Sequence, residues 1–147
     1  HTLDATETIN RIISVFPPHQ QQQIRLQLAG ILKAVISQRL VPRADGKGRV
    51  PALEVMVSTG LVRECIVDKE RTAELPDIIA KGFSSYGMQT FDQALYDLYS
   101  AGEITYEDAM LHADSPNDLR LMIKLGADSQ GADKLASSVD KLSIQDD

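Results

Sequence analysis

One short segment interrupts an otherwise helical pattern, and it restricts the fold more than any other feature. Ala44-Asp45-Gly46-Lys47-Gly48 carries an Asp-Gly turn signal between two extended stretches, Arg39-Leu40-Val41-Pro42 and Val50-Pro51-Ala52-Leu53-Glu54-Val55-Met56-Val57. Together they predict a β-hairpin, the one sheet element of the chain. Val55 and Val57 are expected on its buried side, and Asp45 to Arg49 in solvent. Pro51 suits a strand start or edge, where a missing N–H costs no ladder bond.

Everything around the hairpin reads as helix. Asp4-Ala5-Thr6-Glu7 is a capping-box pattern, followed by Ile9, Ile12, Ile13 and Phe16 at helical spacing and stopped by Pro17-Pro18. A long helix is predicted from about Gln20 to Gln38, with Ile24, Leu28, Ile31, Leu32, Val35 and Ile36 as its apolar stripe and Arg25 among the polar residues on other faces. Downstream, Gly and Pro divide the chain into short helices: Leu61 to Val67, Glu70 to Leu75, and one opened by Pro76 and ended at Gly82. Gly87-Met88-Gln89-Thr90 opens the next. Thr105 caps another through Ala113, and Ser115 the last, which is expected to stop at Gly126. Met88, Phe91, Leu95, Leu98 and Tyr99 share a face and should meet Leu111, Leu119, Met122 and Ile123. The polar stretch after Gly126 reads as mostly disordered or loosely helical.

The chain opens His1-Thr2-Leu3-Asp4 directly into the first capped helix, which reads as the end of a strand and its loop, cut from a larger domain. No apolar run approaches the roughly 18–20 residues that a membrane span needs. The single cysteine, Cys65, excludes an intrachain disulfide and a cysteine zinc site, and reads as a small buried hydrophobe. A net charge of −6 argues against nonspecific binding to nucleic acid or anionic membrane.

The residues hold no complete active site. There is no G-x-x-x-x-G-K-[ST] phosphate loop, and Gly46-Lys47-Gly48 lacks both the hydroxyl residue and the following helix. His1, His19 and His112 have no metal-like spacing. Glu7, Glu107 and Asp108 stand where helix caps want them. On this reading alone the chain is a helical accessory or partial domain.

Several runs resemble a known family. Thr8-Ile9-Asn10-Arg11-Ile12-Ile13, Gln23 to Ala29, Ile36-Ser37-Gln38-Arg39-Leu40, Asp45-Gly46-Lys47-Gly48-Arg49, Glu54-Val55-Met56, Tyr86-Gly87-Met88-Gln89-Thr90-Phe91-Asp92-Gln93-Ala94-Leu95 and Gly102 to Ala109 occur in that order. They resemble the C-terminal part of PilT-like type IV pilus retraction (twitching motility) ATPases, within the RecA-like secretion ATPase superfamily. His1-Thr2 matches the end of the family's Thr-Leu-His-Thr element, the His box. After the hairpin, retraction ATPases carry a motif like Ala-Ile-Arg-Asn-Leu-Ile-Arg-Glu. Here Arg63 and Ile66 match it and Asp68 is a similar carboxylate, but the Asn and the second Arg are absent, as in a paralogue within a genome carrying several such motors.

The resemblance implies an α/β fragment, mainly helical: residues 1–58 as the C-terminal portion of a RecA-like P-loop ATPase core with one hairpin, 59–126 as a C-terminal helical bundle, and 127–147 as a polar tail. It implies a hexameric, cytoplasmic motor at the inner face of the inner membrane, hydrolysing ATP with Mg to power pilus retraction. Its partners are neighbouring subunits and an inner-membrane pilus platform protein, with no nucleic acid. This segment alone is expected to hold no nucleotide and to be inactive. His1 is the catalytic-site residue, sensing the γ-phosphate in the intact protein, or else a terminal residue without a partner. Arg39, Arg43 and Arg49 contact nucleotide or a neighbouring subunit, or are solvated hairpin charges. Arg63, Ile66 and Asp68 lie at the interface that relays motion. The alternatives are a non-catalytic helical interaction or regulatory domain, or an assembly or type II secretion ATPase. The absence of a four-cysteine zinc insert weighs against the latter.

Overall fold

A computed structural model describes residues 4–142, with side chains through residue 130. Helix α1 (Ala5–Ser14) begins where Asp4 accepts a hydrogen bond from the Glu7 amide at 2.8 Å, and it buries Ala5, Ile9 and Ile13. Helix α2 (Pro18–Ile31) uses Pro18 in its first turn, where a missing N–H costs nothing. It ends seven residues before the expected limit of Gln38. The chain turns extended at Leu32, and Ala34–Pro42 is strand β1. Beyond Leu32, a period-2 pattern (Val35, Ser37, Arg39 and Val41 turned inward) overrides the helical reading. Ile31 and Ile36, expected in the helical stripe, are exposed.

Strand β2 (Arg49–Val57) pairs antiparallel with β1, placing Ser37 opposite Glu54 and Arg39 opposite Ala52. The six-residue connection 43–48 is exposed as expected, and Gly46 and Gly48 take the positive φ values, 73° and 88°, that it requires. The phase of β2 is opposite to the expected one. Ala52, Glu54 and Met56 are buried, whereas Val55 and Val57 are half-buried. Both faces of β2 are rich in apolar residues, and the helices pack on the face that holds Ala52 and Met56.

Helix α3 (Gly60–Val67) is capped by Thr59 and followed by a 3-10 turn (Lys69–Glu74), then α4 (Leu75–Lys81) and a short α5 (Phe83–Tyr86). Helix α6 (Phe91–Ser100) starts with a complete capping box between Thr90 and Gln93. Helix α7 (Tyr106–His112) is capped by Thr105. Helix α8 (Pro116–Leu142) runs through Gly126, where the sequence suggested a stop followed by a polar, mostly disordered or loosely helical tail. Gly126 faces Tyr96, and the tyrosine hydroxyl lies where a Cβ would stand. The glycine permits close approach of α8 to α6 and does not terminate the helix.

The interior forms two apolar clusters. One joins α1, α2, α3 and α4 through Ile9, Leu28, Val62, Ile66, Leu75 and Ile79, with Met56 from β2 and Met88. The other joins α6, α7 and α8 through Phe91, Leu95, Ala109 and Leu119, with Val41 and Ala52 from the hairpin. Leu98, Tyr99 and Ile123 pack against the second cluster, but Leu111 is 77% exposed, on the outer side of α7. The hairpin thus contributes one end to each cluster.

Candidate functional site

The seam between the hairpin and the downstream helices carries a set of long-range polar contacts, and Arg39 is at its centre. It stands at an inward position of β1. Its Nη1 donates to the His112 carbonyl at 3.0 Å, its Nη2 pairs with Asp114 Oδ1 at 2.8 Å, and its guanidinium carbon lies 3.7 Å from the Phe91 ring centroid. A planar, delocalised cation can stack and donate along its edge at once, which lysine cannot do. One side chain therefore joins β1 to the start of α6 and to the α7–α8 connection.

The neighbouring contacts lock the same seam. Met88 is buried in the first cluster and Phe91 in the second. Between them, Gln89 exchanges backbone hydrogen bonds with Val55 at 2.9 and 3.1 Å, and its side chain donates to the Leu53 carbonyl at 2.7 Å. Asp92 accepts from the amides of Asp114 and Ser115 at 2.8 and 3.0 Å, and burial pushes its carboxyl above the ordinary range. At the hairpin tip, the Ala44 amide donates to the Glu103 carbonyl. The Gly-Met-Gln-Thr-Phe-Asp-Gln run is therefore a clasp: two core plugs, a strand-edge bridge, a helix cap and a carboxylate anchor in consecutive residues.

Three buried polar residues, Arg25, Thr72 and Glu54, were not singled out from the sequence. Arg25, expected on a polar face of α2, is buried. Its Nη1 donates to the Ile66 carbonyl at 3.0 Å and to Thr72 Oγ1 at 3.1 Å, and the Thr72 hydroxyl donates to the Cys65 carbonyl at 2.8 Å. Glu54, also buried, accepts from the Ala5 amide at 2.7 Å and from Ser37 Oγ at 3.4 Å. Desolvation, opposed by the Ala5 hydrogen bond, raises its pKa. The available signal was a lone carboxylate inside an apolar strand pattern.

The other candidate residues separate by place. Arg43 and Arg49 lie on the exposed hairpin tip, and Arg43 pairs with Asp45 at 2.9 Å. Asp45 also accepts from the Lys47 amide, which holds its carboxyl below the usual range. Arg63 is exposed on α3 and donates to the Ser58 carbonyl at 3.3 Å. Ile66 is a core residue, and Asp68 caps the 3-10 turn through the Glu70 amide. These three share a helix and its exit but do not converge on one point. Beside α3, a cleft of about 560 Å³ is lined by Thr59, Leu61, Arg71, Asp77, Lys81 and Tyr86, among others. Cys65 is buried, and burial pushes its thiol up, so it is a packing residue. His1 lies outside the described residues. Among the described residues, no group of three or more His, Cys, Asp or Glu could hold a metal ion, and no helix is long and apolar enough to cross a membrane.

The two-stranded hairpin clasped between two helical clusters matches the C-terminal part of solved ATPase structures. It matches the pilus retraction motor PilT, in the crystal structure with bound ADP, at a TM-score of 0.66 and 40% identity, covering 82% of this chain and 32% of that one. The Legionella pneumophila ATPase DotB shares the fold at a TM-score of 0.62 and 20% identity, over 76% of this chain and 29% of that one. The chain belongs with the PilT- and PilU-type type IV pilus ATPases. It is 48% identical to the type IV pilus ATPase PilU of Pseudomonas aeruginosa over 145 residues, 99% of this chain and 37% of that protein. It is 36% identical to the pilus retraction ATPase PilT of the same organism, over 80% of this chain and 33% of that protein. A twitching motility protein of Neisseria gonorrhoeae is 36% identical over 81% of this chain and 31% of its own length. The chain thus spans about a third of the length of these relatives. No protein-family model matches it.

Proposed function

We propose that the protein carrying this chain is a hexameric ATPase that hydrolyses ATP, with Mg, at the cytoplasmic face of the inner membrane to power type IV pilus retraction. Residues 1–58 supply the last elements of the RecA-like core, 59–126 the helical bundle and 127–147 a polar extension. The segment's part in the cycle is mechanical. It transmits displacement of the core to neighbouring subunits and to the pilus platform protein. The observation that carries this reading is the Arg39 junction. The side chain ties the hairpin to α6 and to the α7–α8 connection by a hydrogen bond, an ion pair and a ring stack. Met56 meanwhile packs with Val62, Cys65 and Ile66 across the boundary at residue 58. A close-packed interior transmits displacement and does not absorb it.

In this reading His1, at the end of the His-box element, senses the γ-phosphate. Arg43 and Arg49, on the exposed tip, face nucleotide or the next subunit. Arg63 and Asp68 mark the relay surface on α3. The greater similarity to PilU than to PilT, 48% against 36%, together with the missing Asn and second Arg of the retraction motif, favours a paralogous pilus motor acting beside a PilT. ATP turnover by the purified full-length protein tests the enzymatic part. Mg-dependent hydrolysis is expected, and its absence in a folded protein overturns the reading.

A further inference from the structure

The hairpin tip carries an Asp-Gly pair, Asp45-Gly46, whose own chemistry the fold restrains. Glycine has no side chain to shield its amide, so in a pliant chain the Gly46 nitrogen can reach Asp45 Cγ. Attack forms an N–Cγ bond, and the carboxyl loses one oxygen as water, which closes a succinimide ring. Water then adds to one of the two ring carbonyls. Opening at Cγ restores aspartate. Opening at the α-carbonyl leaves the main chain running through the side chain, as isoaspartate. One water is lost and one regained. The reaction needs a neutral carboxyl, so that water can leave, and a Gly46 amide free to give up its proton and approach Cγ.

The tip withholds both. Asp45 Oδ2 pairs with Arg43 Nη2 at 2.9 Å, and Oδ1 accepts from the Lys47 amide at 2.8 Å, the usual turn-forming bond of an aspartate to the amide two residues on. Both contacts favour the ionised carboxylate and fix the direction of the side chain. The Gly46 amide donates to the Arg43 carbonyl at 3.0 Å, which holds the proton that the nitrogen must lose. Arg43 supplies two of these three contacts, one through its side chain and one through its backbone. Residues 43–48 are exposed, so solvent water is at hand and these contacts are what restrain the pair.

We propose that Asp45 is a latent site of isoaspartate formation and that the Arg43 side chain is its guard, holding the carboxylate away from the Gly46 amide. The consequence would reach the seam. Isomerisation adds a methylene to the main chain beside Ala44, whose amide holds the tip to the Glu103 carbonyl at 2.9 Å. The chemistry is local and does not depend on the motor reading.

The full-length protein tests it as wild type, Arg43→Ala and Arg43→Lys, aged at neutral pH and physiological temperature, with urea-unfolded wild type as the unguarded reference. Isoaspartate at residue 45 is read by peptide mapping and by methyl transfer from an isoaspartyl methyltransferase to the digested peptides. Folded wild type should be slowest and the unfolded chain fastest. Arg43→Ala should run about twofold to fivefold faster than folded wild type, the range an exposed ion pair supports, and Arg43→Lys should stay within about twofold of it. Raised ionic strength, which screens the pair, should speed the folded wild type as well, and this decides the matter if Arg43→Ala does not fold. An Ala variant at the wild-type rate, or a folded wild type that salt does not speed, overturns the guard. No isoaspartate at residue 45 in the unfolded chain overturns the site.

Discussion

Replacing Arg39 with alanine removes a side chain that ties the hairpin to the α7–α8 connection, so it measures how firmly the two are joined. The Arg39 side chain is 20% exposed and that of Asp114 is 50% exposed, which decides how the terms are weighted. The charge-assisted bond to the His112 carbonyl contributes about 1.5–3 kcal/mol. The stack on Phe91 contributes about 0.5–2 kcal/mol. The half-exposed pair with Asp114 adds about 0–1 kcal/mol after screening. The three share one guanidinium and do not add in full, so the expected loss is about 2–4 kcal/mol. Against the roughly 5–15 kcal/mol stability of ordinary domains, that is a large fraction. Urea denaturation of the 147-residue chain, followed by far-ultraviolet circular dichroism, reads it directly. Arg39→Lys should recover less than half of the loss, because an ammonium cannot stack flat and donate along an edge together. A loss below about 0.5 kcal/mol for Arg39→Ala, the range of an ordinary surface change, would show that the junction is not built on this residue.

Three further outcomes follow from the same structure. Leu95 is fully buried against Phe91 and its neighbours, so Leu95→Ala should lower stability by about 2–5 kcal/mol in the same denaturation assay. Burial raises the folded pKa of Glu54, so its protonated form is favoured by folding, and that stabilisation is present below the unfolded pKa and lost as pH rises through the raised folded one. Glu54→Gln should therefore flatten the pH dependence of unfolding above about pH 4.3, the ordinary value for Glu, with its largest relative gain at neutral pH; unchanged curvature would count against the burial argument. Lacking a phosphate loop, the 147-residue chain by itself should turn over no ATP, and a coupled assay showing steady hydrolysis free of contaminants would contradict this.

Local chemistry was legible in the sequence, and long-range choice was not. Asp4, Thr90 and Thr105 announce their helices because a cap is decided within four residues, and the Asp45-Gly46 turn announces the hairpin for the same reason. The end of α2 was hidden because Val35 and Ile36 extend a helical stripe and equally begin a strand. The phase of β2 was hidden because both its faces carry apolar residues, so the choice fell to the helices packed on Ala52 and Met56. Gly126 resembled a terminator because only tertiary packing shows that Tyr96 occupies its missing Cβ. Arg39 was a candidate from the start. Its three partners, Phe91, His112 and Asp114, are more than fifty residues away in sequence, and no local pattern points to them.

Pilus dynamics test the central claim most directly. In a strain deleted for the parent gene, labelled pili can be followed as they extend and retract, with the full-length gene returned in wild-type form. The account predicts impaired retraction or twitching in the deletion, restored by the wild-type gene and not by Arg39→Ala at equal protein level. A deletion strain that both retracts its pili and twitches normally, or full restoration by the Arg39 variant despite a loosened junction, would contradict a motor whose stroke passes through this segment.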